Sequence, residues 1–103
     1  MNIVYAPRAL RDIDDILAYI QQRNPAAART VSFAIERAVE LSAQVPLTGG
    51  KTDVPNLYRR PLVQFPYTIF YGVDADHDRI EVLRVVHGAR MKDLARLPDD
   101  PTE

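Results

Sequence analysis

Proton transfer near neutral pH needs an imidazole, a thiol or a perturbed acid, and this chain narrows the choice at once: it holds two histidines and no cysteine. Without a thiol there is no disulfide, no Cys-based zinc site and no cysteine nucleophile. His77 stands in Asp76-His77-Asp78, an acidic stretch in which an imidazole reads as a solvated turn residue. His87 is different, because it closes an apolar run directly before Gly88-Ala89-Arg90. That position suits a general acid/base or a phosphate contact, and equally a hydrogen-bonded structural role. Arg84 lies inside Val82 to Val86, and a guanidinium among apolar strand residues needs an acid, a carbonyl or a partner's anion. Glu81 and Asp53 are among the acids available to it. Alternation places Arg84 with Ile80, Val82 and Val86 on one face, and His87 away from it unless the strand end or Gly88 re-aims the ring. Arg59 and Arg60 point to opposite faces by the same parity, so at most one of them joins the partner side. There is no phosphate-cradling glycine loop, no H-E-x-x-H, no G-x-S-x-G and no paired-carboxylate motif, so neither metal nor cofactor is expected.

These residues need elements to hold them. Asn2 to Tyr5 reads as a short first strand stopped by Pro7, which in turn fits the first helical position. Leu10, Ile13, Ile16, Leu17 and Ile20 recur at helical steps to about Arg23, and Arg8, Arg11, Asp12, Asp15, Gln22 and Arg23 form the expected solvated face. Asn24-Pro25 both stops that helix and caps the next, which runs to about Gln44 with Val31, Ala34, Ile35, Ala38, Leu41, Ser42 and Val45 on its stripe. So short a junction makes a helical hairpin. Thr48 to Asn56 reads as an exposed connection. Leu57 to Phe65 begins as a strand whose Pro61 points to an edge or a bulge, and Tyr67 to Val73 reads as a central strand. Asp74 to Arg79 makes a polar hairpin loop, and Ile80 to His87 is the last strand. A short helix is expected over Met91 to Leu97, before a frayed tail at 98–103. The order β-α-α-β-β-β gives an α+β domain over 1–97, its helical hairpin packed on one face of a small, mainly antiparallel sheet.

A chain of 103 residues hides roughly 65% of its unfolded surface, enough for one core and not for two. With 13 Lys+Arg against 14 Asp+Glu, it lacks the concentrated basic surface that bulk nucleic-acid binding requires. Yet Arg59, Arg60, Arg84 and Arg90 stand apart from the acids at Asp74, Asp76, Asp78 and Glu81, so a local basic patch survives the neutral sum. No run approaches the ~20 apolar residues of a membrane span, and the N-terminus lacks a signal-peptide layout, so the expected location is the cytoplasm.

Several stretches, taken in order, resemble one family. They are Tyr5-x-Pro7-x-Ala9-x-x-Asp12-x-x-x-Ile16-x-x-Tyr19-Ile20, Asn24-Pro25-x-Ala27-Ala28, Pro66-Tyr67-x-Ile69-x-Tyr71 and Ile80-x-Val82-Leu83-Arg84-Val85-x-His87-Gly88-x-Arg90. Together they resemble the RelE/ParE toxins of bacterial type II toxin–antitoxin modules. The resemblance implies a growth-inhibiting toxin held inactive by a cognate antitoxin. RelE-like members are ribosome-dependent nucleases that cleave mRNA with basic residues on the sheet, whereas ParE-like members poison DNA gyrase without cleavage chemistry of their own. The nuclease-type Arg before and after the central-strand Tyr is absent here, where Val63-Gln64-Phe65-Pro66 precedes Tyr67 and Thr68 follows it. Lysines number only Lys51 and Lys92. The resemblance therefore points to the ParE branch, with Arg60, Arg84, His87 and Arg90 as target-binding residues. The alternatives are an mRNA interferase using His87, Arg84 and Arg60, and a non-toxic module that only binds antitoxin. An apolar groove for an antitoxin segment is expected, with Leu10, Ile13, Leu17 and Ile20 as its residues.

Overall fold

The computed structural model describes residues 1–88. Arg90, the helix expected over Met91 to Leu97 and the tail at 98–103 lie outside the described residues.

The chain runs β1 (Asn2–Tyr5), α1 (Pro7–Arg23), α2 (Pro25–Gln44), β2 (Gly50–Lys51), β3 (Leu57–Pro61), β4 (Tyr67–Asp74) and β5 (Arg79–His87), with single 3₁₀ turns at Pro46–Thr48 and Ala75–His77. Asn24 is the whole link between the helices. Its backbone N–H donates to Ile20 O at 2.7 Å to end α1, and its side-chain oxygen accepts from Ala27 N at 3.1 Å to start α2. Pro25 then occupies the first turn of α2, where an N–H would have no acceptor.

The sheet has five strands in the order β1-β5-β4-β3-β2. The pair β1 and β5 is parallel, and the other three pairs are antiparallel. The segment read from sequence as an open connection supplies the fifth strand, β2, which pairs Gly50 with Arg59 and Lys51 with Tyr58. Because β2 is so short, Pro61 at the end of β3 has no strand on its outer side and no ladder bond to lose. Central β4 is buried from Thr68 to Tyr71, as an aromatic and β-branched strand should be.

The main core lies between the helices and the sheet. Val31, Ile35 and Val39 from α2 and Ala9 from α1 meet Tyr58, Ile69, Tyr71, Ile80, Val82 and Val85. Each large aliphatic side chain fully hidden there contributes about 1.5–3 kcal/mol. Leu57, Phe70 and Val86 form a second, smaller cluster with Leu83 packed against it.

One irregularity decides where the candidate site residues point. Phe70 pairs with Arg84 but Tyr71 pairs with Val82, so Leu83 is an extra residue and β5 bulges there. Simple alternation, which grouped Arg84 and Val86 with Ile80 and Val82, holds only up to Val82. Beyond the bulge Val85, not Val86, joins Ile80 and Val82 in the main core. His87, two residues after Val85, falls in the register of Tyr67, on the side of the sheet that faces the helices.

Candidate functional site: the cleft between α1 and β5

β1 covers β5 only from Arg79 to Val82, because the chain turns at Ala6 into α1. The remaining edge of β5 would expose unpaired backbone, and α1 covers it with a carboxylate. Asp12 Oδ2 accepts from Val85 N at 3.0 Å, and from Arg84 Nε at 2.7 Å. Asp12 Oδ1 accepts from Arg84 Nη2 at 3.3 Å and from Arg8 Nε at 3.3 Å. Four N–H groups thus converge on one side chain. The Asp12–Arg84 pair is nearly dry, with side-chain exposures of 10% and 14%. A forked, water-poor ion pair of this kind is among the stronger ones, and breaking it strands a charge.

The sequence reading placed Asp12 on a solvated face and offered Glu81 or Asp53 to Arg84. The structure corrects both points: Asp12 is buried and is itself the partner of Arg84, 72 residues away in sequence. The signal lay in the helical steps, since Asp12 falls three residues after Ala9 and four before Ile16, on the stripe that turns inward.

Around this ion pair a cleft of about 380 Å³ opens between α1 and the ends of β4 and β5. Arg8, Asp15, Ile16 and Tyr19 form one wall; Tyr67, Arg84, Val85, Val86 and His87 form the other. The His87 ring meets Tyr67 edge-on, with centroids 5.4 Å apart and planes at 88°. Burial raises the Tyr67 phenol above its ordinary pKa, with Tyr19 adding to the effect. Arg23 lies over the exposed Tyr19 ring at 3.9 Å from its centroid. The cleft is lined by Arg8 and Arg84 and by Asp12 and Asp15, so its arginine and carboxylate charges balance. Sequence reasoning missed Arg8, Asp12, Asp15 and Tyr19 as members of this cleft because only the α1–β5 packing brings them to Arg84.

Arg60 goes elsewhere. Its Nε donates to Ser42 Oγ at 2.7 Å, and its Nη2 donates to Thr48 Oγ1 at 2.8 Å, to Tyr71 OH at 3.4 Å and to Val45 O at 3.5 Å. Ser42 and Tyr71 are fully buried, and Val45 follows the last residue of α2. A cation there meets the negative end of a helix. The structure therefore brings Arg84 and His87 into one cleft and holds Arg60 at the end of α2, in a different groove. Arg59, on the opposite face, is exposed.

Of the four α1 residues expected to meet an antitoxin, Leu10 is 49% exposed. Ile13, Leu17 and Ile20 pack partly buried against the main core. Among the described residues there is no group of three or more His, Cys, Asp or Glu that could hold a metal, and no helix is long and apolar enough to cross a membrane.

Residues 3–98 match the family described as the ParE toxin of the type II toxin–antitoxin system parDE. The chain belongs to the ParE toxin family. The match covers β1 through β5, so both the Asp12 carboxylate and the arginine it holds lie inside the ParE domain. A relative, Y4kP of Sinorhizobium fredii, is 36% identical over 86 residues, covering 84% of this chain and 86% of its own length. Toxin RelE2 of Caulobacter vibrioides is 32% identical over 90 residues, covering 87% of this chain and 98% of its own. Among solved structures, a chain of the chromosomal ParDE system of P. aeruginosa has the same fold, with a TM-score of 0.71 at 22% identity over 84% of this chain and 95% of that one. A chain of the RelBE2 toxin–antitoxin complex of Mycobacterium tuberculosis gives 0.55 at 21% identity, over 84% and 88%. This ParE-family toxin is thus a type II toxin–antitoxin component with the α+β architecture read from its sequence.

Proposed function

We propose that this ParE-family toxin arrests bacterial growth in the cytoplasm by binding and poisoning DNA gyrase, and that a cognate antitoxin neutralises it. The observation that carries this reading is where the arginines spend their charge. A nuclease that orients a 2′-hydroxyl and neutralises a scissile phosphate needs guanidinium groups facing substrate. Here Arg84 is held by Asp12, and Arg60 is held at the end of α2 by Ser42, Thr48 and Val45. A protein that acts by binding has no such requirement. In this reading His87 and Arg90 belong to the target contact, while Arg84, tied to Asp12, and Arg60, tied to the end of α2, support it from behind. Leu10, the exposed member of the α1 set, is the first point of antitoxin contact.

The second reading, an mRNA interferase, is favoured by one observation: His87 shares the cleft with Arg84 and Tyr67. One experiment separates the two. The chain is induced alone in bacteria, and plasmid supercoiling and the SOS response are followed beside the integrity of ribosome-bound mRNA. Gyrase poisoning gives SOS induction and altered supercoiling with intact message. Cut message with unchanged supercoiling supports the interferase, and growth without either effect leaves an antitoxin-binding module.

A further inference from the structure

We infer that Asp12 is a specificity-determining residue that closes the α1/β5 cleft to phosphodiesters. This rests on the proposed function only in taking that cleft as the face presented to the target. The donors that meet Asp12 are those an oxyanion of a nucleic acid would need: both sides of the Arg84 fork, the Arg8 Nε and the Val85 backbone N–H. A carboxylate and a pair of phosphate oxygens accept from a guanidinium in the same forked geometry. The protein has filled that cradle with its own side chain.

Three features make this occupancy selective rather than incidental. First, Asp12 is carried on a helix packed against β5, so an external phosphate competes with a group already tethered in place. Second, the ion pair is almost out of water, so an incoming anion must displace a desolvated carboxylate from a dry site. Third, the rest of the cleft has what a single-stranded nucleic acid uses, namely the aromatic rings of Tyr19, Tyr67 and His87 beside two arginines. Asp12, with Asp15, cancels the arginine charge that would draw a phosphate backbone there. Removing the Asp12 charge leaves rings and guanidinium groups together, so this one side chain separates a protein-facing cleft from a nucleic-acid-binding one.

The test measures binding of a short single-stranded RNA and a matching DNA to the full chain by fluorescence anisotropy across a salt series. Asp12→Asn keeps an acceptor for Val85 N and removes the charge. It is expected to bind at least about tenfold more tightly than the parent, with a salt slope steeper by roughly 0.7 for each phosphate neutralised. Adding Arg84→Met to Asp12→Asn should abolish the gain. A folded Asp12→Asn variant with the parent's affinity overturns the inference, as does parent binding that already depends on Arg84. If Asp12→Asn does not fold in plain buffer, circular dichroism follows its recovery in inorganic phosphate against chloride at equal ionic strength. Saturable, Arg84-dependent recovery in phosphate supports the filled cradle, and recovery that is absent or equal in both salts overturns it. Gyrase inhibition by the parent chain is a separate readout, so failure of the proposed function and failure of this inference are told apart.

Discussion

Arg60 offers the sharpest division between a residue that holds the fold and one that meets a target. Replacing it with Met keeps the aliphatic stem and removes every donor. Two short bonds are lost, to Ser42 Oγ at 2.7 Å and Thr48 Oγ1 at 2.8 Å, along with the longer ones to Tyr71 OH and the Val45 carbonyl. Hydrogen bonds made by a charged group contribute about 1.5–3 kcal/mol each when well formed, and a cation at a helix C-terminus adds about 0.3–1 kcal/mol. Arg60 is only partly buried, and Ser42 Oγ still donates to Ala38 O at 2.9 Å, so the lower part of that range applies. The expected loss is about 3–4 kcal/mol for Arg60→Met, a large share of the ~5–15 kcal/mol that holds a small domain. In urea this is a fall in midpoint of about 1–2 M at an unchanged slope. Arg59→Met, on the exposed opposite face, serves as the control and should stay within about 0.5 kcal/mol. Growth arrest, normalised to folded protein, should be equal for the two variants. An Arg60→Met protein as stable as the parent yet unable to arrest growth would refute the reasoning and make Arg60 a direct target contact.

Three further outcomes are expected. His87→Gln should leave arrest and SOS induction largely intact, whereas a general acid/base role would cost on the order of 10²–10⁴ in cleavage rate and spare the message; primer extension on ribosome-bound mRNA reads the difference. Leu10→Asp should weaken capture by the antitoxin without lowering the melting temperature, while Ile13→Asp, partly buried against the core, should lower it; loss of antitoxin binding in neither variant removes α1 from that interface. The Asp74 carboxyl is held below its ordinary pKa, chiefly by the hydrogen bond from His77 and further by Arg79. Its contribution to the β4–β5 turn is therefore present above the unfolded carboxyl's pKa and lost as pH falls through the lower folded value. NMR titration should show His77→Ala returning Asp74 toward the ordinary value, and an unmoved titration would contradict the assignment.

Much of this molecule is legible in its sequence, and the exceptions have physical causes. The helices announce themselves because α1 and α2 each carry enough turns for periodicity to emerge, and Asn24-Pro25 has few other uses. β2 has no pattern to read, since Gly50 and Lys51 become a strand only through pairing with β3. The bulge at Leu83 is equally silent, because an extra residue in a run of Val and Leu leaves the composition unchanged while exchanging the faces beyond it. The candidate site suffered most from that exchange. Arg84 was recognisable as a guanidinium needing a partner, yet the partner came from a helix near the other end of the chain, and one Asp among Arg8, Arg11, Asp14 and Asp15 looks like ordinary surface. Residues on one strand can be assigned to a face by parity, whereas contacts between distant segments need the packing itself.

The early end of β1 bears on the order in which the chain can acquire its structure. Ile3 lies beside Ile80, and the carboxylate of Asp12 waits for the Val85 amide and the Arg84 guanidinium. During synthesis, at about 5–20 residues per second, the helical hairpin can form from local contacts alone. The first strand and the first turns of α1 stay without their partners until the last strand has been made. The cleft is therefore among the last features of residues 1–88 to be completed, because the Asp12–Arg84 pair cannot exist before β5 has been made.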